Sequence, residues 1–429
     1  MQRSPSFRQK FFYSFGQFGN GVYNGLNNAI MGLFVSAFTG NAFIIGYLSN
    51  TRTMEGVVIQ PIVGRLSDRS TSRLGRRRPF ILLGIPLSVF FLAMVPIAGH
   101  ATHGWALPLI IITIVLFSIT WNIAGDPYQT LMIDITPARE RSLFNAVLSV
   151  IALVGQVAIL LYASFASLKK DNIPDQVFYL CAAFLFVTYA VVFFGVREPR
   201  EAAAEAHVEH RIPLSVYIQE MRSFKESLKC LISIFFLWTG LNAILPYLTV
   251  FTKHVMHVND AHAIRIYLVI ILASALAAYP FGRLGARYGN RRFIVLGTVL
   301  MIFAGIGGTF APSYNWLYPV AVLAGVGFSA TTALTYPYLS QLVPGSKMGV
   351  FTGLQAAFSS IAVPISVGIT SLLIDAFGYR SIFAMLTAMM VVDVLFLLSI
   401  DEEAARDQIG RVEAEENIHA VGVVPATAL

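Results

Sequence analysis

Apolar residues run along this chain in blocks of about twenty or more, separated by short polar turns. A helix that crosses ~30 Å of hydrocarbon needs about 20 mainly apolar residues. Twelve blocks meet that length: Phe11–Phe38, Ala42–Val63, Phe80–Ala98, Trp105–Ile133, Leu143–Ser164, Gln176–Val196, Leu231–Thr252, Ala263–Pro280, Phe293–Ala311, Trp316–Leu342, Gly349–Ile374 and Ser381–Ile400. The pattern predicts an all-α membrane protein of about twelve transmembrane helices. The first block is too long, and too studded with Asn and Gly, to be the apolar core of a cleavable signal peptide.

The turns between blocks alternate in charge. One set holds Arg3, Arg8 and Lys10, then Arg65 to Arg78, Arg139 and Arg141, the segment 197–229, Arg283 to Arg292, and Lys347. The other set holds little beyond Lys169, Lys170, Lys253 and Arg380. Basic loops stay on the cytoplasmic side, so both termini are expected in the cytoplasm of an inner (plasma) membrane protein. Residues 197–230 form the one long loop. They divide the chain into an expected N-terminal bundle (1–196), a linker (197–230), a C-terminal bundle (231–400) and a charged tail (401–429).

Composition removes the soluble alternatives. Of 429 residues, 56% are apolar and 12% charged. A soluble chain carries roughly 25% charged residues, so polar groups here are too few to clothe a globule. The net charge of +7 sits in short loops rather than on one patch, so no nucleic-acid partner is expected. Cys181 and Cys230 fall in or beside apolar blocks and imply no disulfide framework. His254, His257 and His262 share a wet loop and are not read as a metal site. Pro344-Gly345-Ser346-Lys347 lacks the upstream glycine spacing of a phosphate-binding loop. No cofactor, metal or enzymatic activity is expected.

Some polar residues lie deep inside the blocks, where each is costly and therefore a functional candidate. Glu55 lies ~13 Å above Gly64 along its helix, and Asp126 ~12–15 Å in from the segment 134–136. Asn20 and Asn242 reach similar depth. Gln17, Asn20, Asn24 and Asn28 recur at helical spacing on one stripe of the first helix, which Tyr13 extends. Ser118, Asn122, Asp126 and Gln129 make a second stripe on the fourth. Trp238, Asn242 and Thr249 share a face of the seventh, with Tyr336 and Gln355 as counterparts on the tenth and eleventh. Arg52 and Glu55 stand at i, i+3, close enough to pair. These stripes predict a polar cavity for a small solute. Asp126, Glu55, Arg52 and Asp134 are the candidates to couple its passage to protons or sodium ions.

An internal repeat supports two halves. Pro61-Ile-Val-Gly64-Arg65-Leu66-Ser67-Asp68-Arg69, then Arg73-Leu-Gly75-Arg76-Arg77-Arg78-Pro79-Phe80-Ile81-Leu-Leu-Gly84, follows the second block. Pro280-Phe-Gly282-Arg283-Leu284, then Tyr288-Gly289-Asn-Arg291-Arg292-Phe293-Ile294-Val-Leu-Gly297, follows the eighth. The first string resembles the loop signature of major facilitator transporters. In its full form it is similar to the corresponding region of sucrose–proton symporters, neighbours of the glycoside–pentoside–hexuronide cation symporters. Asp126-Pro127-Tyr128, Leu131, Asp134, Arg141, Asn145 and Ala146 extend that resemblance.

The resemblance implies two six-helix bundles around a central site and alternating access coupled to a cation gradient. It implies a di- or oligosaccharide or glycoside as solute, and Asp134 matches an acid tied to proton coupling. It also implies a conformational latch built from Gly64, Asp68, Arg69, Arg73, Arg76 and Arg77, with Gly64 admitting close helix approach. Two rivals keep the fold: a proton-coupled exporter or antiporter of drugs, lipids or metabolites, and a non-transporting membrane assembly factor.

Overall fold

The computed structural model describes residues 7–68, 70, 72, 74–102, 104–136, 138–169, 173–196, 220, 221 and 223–421. Among them there are helices and turns and no strand. Helix α1 (Phe7–Gly25) runs through a π-helical turn, Leu26–Met31, into α2 (Gly32–Val35), and together they make the first crossing. Helices α3 (Ala42–Leu48) and α4 (Thr51–Asp68) make the second. Single helices follow: α5 (Arg78–Gly99), α6 (Ala106–Ile135), α7 (Ala138–Ala166) and α8 (Asp175–Gly195).

The second half repeats the plan. Helices α9 (Lys225–Ile244) and α10 (Leu248–Met256) form one broken crossing. Then come α11 (Asp260–Tyr288), α12 (Asn290–Thr309), α13 (Leu317–Gln341), α14 (Met348–Phe377) and α15 (Ser381–Ser399). The tail forms α16 (Glu402–Val421), which buries Ala405 and donates from Gln408 Nε2 to the Ser223 carbonyl at 2.7 Å. Ten crossings are long and apolar enough to span a membrane by length and composition. The other two are the first pair, 7–35 and 42–68, which are interrupted and more polar. Most of the expected linker, 197–219 and 222, lies outside the described residues.

Each of the twelve predicted blocks falls on one crossing, but three are not the continuous helices that periodicity suggested. Pro246 lacks an N–H and ends α9 before α10 resumes the path. The second crossing breaks at Ser49–Asn50 and leaves the Ser49 carbonyl without a helical donor. Asn27 Nδ2, on the π turn of the first crossing, donates to that carbonyl at 2.7 Å. Lipid offers no hydrogen bonds, so a break of this kind persists only where protein supplies the missing one.

The sequence repeat is visible in the packing. Aligning Phe80 with Phe293 aligns Arg78 with Arg291 and Gly84 with Gly297. Arg78 Nη2 donates to the Phe193 carbonyl at 2.6 Å, in the last turn of α8. Arg291 Nη2 donates to the Leu398 carbonyl at 2.8 Å, in the last turn of α15. Both cations therefore sit at the negative end of the sixth helix of their half. A Cβ on Gly84 would lie 2.8 Å from the Thr120 carbonyl of α6, and one on Gly297 would lie 2.9 Å from the Gly327 carbonyl of α13. These small residues let the third and fourth helices of each half pack backbone to backbone.

We call the end holding Phe7, Asp68 and Arg78 the base, and the end holding Val35, Ala42 and Gly99 the crown. Strong contacts between the halves gather toward the crown. Tyr247 Oη donates to the Ala42 carbonyl at 3.0 Å, and Ser164 Oγ to the Ala261 carbonyl at 3.3 Å. Arg265 Nε reaches Ser164 Oγ at 3.2 Å. Gly32 lies so close to Pro246 that a Cβ would stand 2.5 Å from its carbonyl oxygen.

The tightest approach within the first half is between α1 and α7, where a Cβ on Gly21 would stand 1.8 Å from the Ala152 carbonyl. Gly64 is the reverse case. It was expected to admit close helix approach, yet an added Cβ there meets nothing within 4 Å. The turn beside it is set instead by arginine contacts described below. Gly21→Ala should therefore cost about 1–3 kcal/mol through overpacking, read as a lower thermal midpoint of the detergent-purified protein. Gly64→Ala should leave that midpoint unchanged.

Candidate functional site

A cavity of about 520 Å³ lies between the base halves of α1, α4, α6 and α7, with Tyr13, Gln17, Gln60, Asp126, Gln129 and Asn145 on its wall. Its inner edge is built by a reciprocal pair. Tyr13 Oη donates to the Tyr128 carbonyl at 2.9 Å, and Tyr128 Oη donates to the Tyr13 carbonyl at 2.8 Å. Their rings stack 4.5 Å apart at 5°. Four hydrogen-bonding groups are thus satisfied between two membrane helices, and α1 is fixed against α6.

Above the cavity a polar layer surrounds Arg52 of α4. Its guanidinium lies 5.9 Å from the ring centroids of both Tyr23 and Trp121, within cation–π range. Asn122 Nδ2 donates to the Arg52 carbonyl at 3.2 Å. The expected Arg52–Glu55 pair does not form: Glu55 Oε1 accepts from Tyr47 at 3.3 Å, while Arg52 turns toward the rings and acts electrostatically on Asp126. Three buried atoms of this layer, Trp121 Nε1, Asn122 Oδ1 and Asp126 Oδ2, have no protein partner, and Glu55 Oε2 and Ser118 Oγ have none of ordinary geometry beyond a loose approach of Ser118 to Glu55. Orphaned polar atoms cost about 1–3 kcal/mol each, and native proteins rarely gather so many in one place. In the second half, Thr249 Oγ1 and Gln355 Oε1 are orphaned in the same way, and Tyr336 is exposed.

The helix 1 stripe divides. Gln17 reaches the cavity, but Asn20 is held by protein at both ends of its amide, with Oδ1 accepting from Tyr189 at 2.7 Å and Nδ2 donating to Gln17 at 3.2 Å. Asn24 is half-buried. Asn28 accepts from Asn27 at 3.3 Å. The π turn at Leu26–Met31 changes the register, so the α-helical spacing that joined Asn28 to the stripe does not hold there. Asn27, which that spacing passed over, is the residue that binds across to α3. On α9, Asn242 Nδ2 donates to the Trp238 carbonyl one turn back at 2.8 Å, and Trp238 packs among apolar neighbours.

Asp134 stands apart from the cavity, at the base end of α6. Arg76 Nη2 lies 3.3 Å from both its oxygens, and Arg77 Nε 3.3 Å from one. Arg77 Nη1 also donates to Ser67 Oγ at 2.9 Å. The ends of α4, α5 and α6 are therefore clamped together by buried arginines. The remaining expected latch members, the Asp68 side chain, Arg69 and Arg73, lie outside the described residues, as do the Arg139 and Arg141 side chains. Asp393, on α15, accepts from Ser233 and, at 3.0 Å, from Thr298, and is wholly buried within the second half. Among the described residues, no group of three or more His, Cys, Asp or Glu side chains is placed to hold a metal.

Two six-helix bundles joined at one end, with a polar layer and cavity in the first and exposed apolar side chains on the outer walls, define a membrane transporter of small solutes. A family model described as MFS/sugar transport protein matches residues 12–400, and the chain belongs to that family of the major facilitator superfamily. Its members carry solutes and are not enzymes.

The sucrose transport protein SUC4 of Arabidopsis thaliana is 34% identical over 119 residues, 24% of this chain and 23% of that protein. The proton-associated sugar transporter A of Homo sapiens is 36% identical over 97 residues, 20% of this chain and 13% of that protein. The chain thus spans about a quarter or less of those two relatives' length. The uncharacterized symporter YjmB of Bacillus subtilis is 21% identical over 357 residues, 80% of this chain and 76% of that protein. A solved D-xylose-proton symporter superposes with a TM-score of 0.69 at 14% identity, covering 92% of this chain and 97% of that one. A mutant form of the nucleoside transporter NupG gives 0.72 at 12% identity over 91% and 98%. At these identities the structural likeness shows the fold alone.

The clamp predicts its own test. Asp134→Asn leaves two buried guanidinium groups without their carboxylate and should cost about 3 kcal/mol, measured as a lower denaturation midpoint. Asp134→Glu should recover part of the loss.

Proposed function

We propose that this protein is a secondary active transporter that takes up a small polar solute, a di- or oligosaccharide or glycoside, by alternating access coupled to a proton gradient. The observation that carries this reading is the cluster of orphaned polar atoms around Arg52, set directly above an open cavity. Its chemistry suits a polyol. Arg52 and Trp121 Nε1 only donate, Asn122 Oδ1 only accepts, and Ser118 does both. A hydroxyl group donates and accepts at once, so neighbouring hydroxyls of a sugar can bridge such atoms in sequence. Thr249, Tyr336 and Gln355 offer the same kind of groups from the second half.

Coupling follows from charge. Arg52 is one fixed cation beside two acids, Glu55 and Asp126. One proton on either acid brings the layer to neutrality, which a low-dielectric surround favours. Proton and solute then stabilise the same conformational state, and each raises the apparent affinity for the other. In this reading Asp126, which both edges the cavity and feels Arg52, receives the proton. Asp134 takes a structural part with Arg76 and Arg77, and the latch includes Asp68, Arg69 and Arg73. The two moving bodies are 1–196 and 231–400, joined by 197–230. The base faces the cytoplasm of the plasma membrane, as its arginines suit. The printed names of the sucrose, proton-associated sugar and xylose–proton relatives agree with a sugar and a proton.

Proteoliposomes with an imposed pH gradient test the reading. Wild-type protein should accumulate a radiolabelled glycoside from a sugar panel, with no change when sodium replaces potassium. Asp126→Asn should abolish accumulation while leaving solute exchange. Normal pH-driven accumulation by that variant would remove Asp126 from the role, and sodium dependence would replace the proton.

A further inference from the structure

On the outer wall of the first half, away from the solute cavity, α5 and α8 part to leave a groove of about 220 Å³. It is lined by Ile81, Ile85, Pro86, Tyr189, Ala190 and Phe193, among others, and is almost wholly apolar. Pro86 lies inside α5. It withdraws one backbone N–H and its ring pushes on the preceding turn, which suits the wedge between the two helices. Along α8 the groove runs from Phe186 to Phe194, ~12 Å at 1.5 Å per residue. Leu82, Phe186 and Phe194 beside it are 47%, 49% and 80% exposed, so the groove faces the membrane rather than the protein interior.

The groove has a charged foot. It ends at the base beside Arg78, whose guanidinium carbon lies 4.6 Å over the Phe193 ring and whose Nη2 holds the Phe193 carbonyl at 2.6 Å. Arg78 closes the segment 64–78, which contains six arginines and one acid, Asp68; Arg76 and Arg77 among them are buried on Asp134. A slot for hydrocarbon that opens onto an arginine-rich turn at a membrane surface matches one kind of molecule in both its parts.

We propose that the groove between α5 and α8 is a binding site for an anionic phospholipid of the base-side leaflet, with an acyl chain in the groove and the phosphate at the Arg78 turn. Juxtamembrane arginines attract anionic headgroups strongly enough to select them from neutral ones. The inner wall of the site is Tyr189, whose hydroxyl holds Asn20 and whose ring lies 5.6 Å from Trp121 and 5.0 Å from Tyr128. A seated chain therefore supports the same aromatic group that borders the polar layer. The site is independent of which solute the protein carries.

The test uses the purified full-length protein, titrated with phosphatidylglycerol or phosphatidylcholine and read by native mass spectrometry. One phosphatidylglycerol should be retained in preference to phosphatidylcholine. Arg78→Gln loses the charge and should reduce that preference about fivefold. Ala190→Phe fills the groove and should remove the retained lipid. A phosphatidylglycerol with a diazirine in its tail, applied to the wild type, should label 81–86 and 186–194, with competition by phosphatidylglycerol alone; this reading stands even if a variant fails to fold. Equal retention of both lipids, unchanged retention in a folded Ala190→Phe variant, or labelling elsewhere would overturn the proposal. So would a dimer mass that Ala190→Phe abolishes, since a second copy would then cover the groove.

Discussion

Inside a bilayer a polar group has only the protein to bond with, and that constraint shapes most of what distinguishes this molecule. Each helical crossing solves it for its own backbone. Where a crossing breaks, another element must supply the missing bond, as Asn27 does for the Ser49 carbonyl. Where side chains are polar, they are tied in pairs such as Tyr13 with Tyr128, or Asp393 with Ser233 and Thr298. Against that background the orphaned atoms around Arg52 stand out. Their clustering beside a cavity is the observation on which the proposed solute site rests.

The two ends of the bundle are built differently. Toward the crown the halves meet through close backbone approach at Gly32 and Pro246 and through hydroxyl-to-carbonyl bonds from Tyr247 and Ser164. At the base of the first half, Arg76 and Arg77 draw the ends of three helices onto Asp134, and this clamp lies within that half. The base clamp is thus internal to one bundle, whereas the crown contacts join the two. The repeat adds symmetry to it: Arg78 and Arg291 seat on the last turns of α8 and α15, and Gly84 and Gly297 seat the third helix of each half on the fourth.

Much of the fold was legible because membrane crossing is a one-dimensional demand. Twelve apolar blocks located twelve crossings, and the repeated Arg and Gly positions paired equivalent contacts in the two halves. The site was legible in part. Glu55 and Asp126, placed at one depth along their helices, stand with Arg52 and Asn122 in one polar layer. Depth alone could not tell which amides face a cavity. Asn20 and Asn242 reached the expected level but bond to Tyr189 and to their own helix. Ser118 was already on the stripe of the fourth block, but Trp121 also belongs to the layer, and an indole on an apolar helix looks like ordinary packing in a sequence. Gln60 and Asn145, on the cavity wall, carried no periodic signal.

What the sequence by itself determined is the set of crossings, the duplication and the depth of each costly group, because hydrophobicity and 1.5 Å of rise per residue act along the chain. What only the tertiary structure decided is who meets whom. Arg52 leaves Glu55 for the rings of Tyr23 and Trp121, Asp134 takes arginines from the far end of a loop, and a π turn moves Asn28 off its stripe. Those outcomes depend on angles and distances between helices that are remote in sequence. A period of 3.6 residues cannot encode them, since it describes one helix at a time and assumes that the helix never breaks.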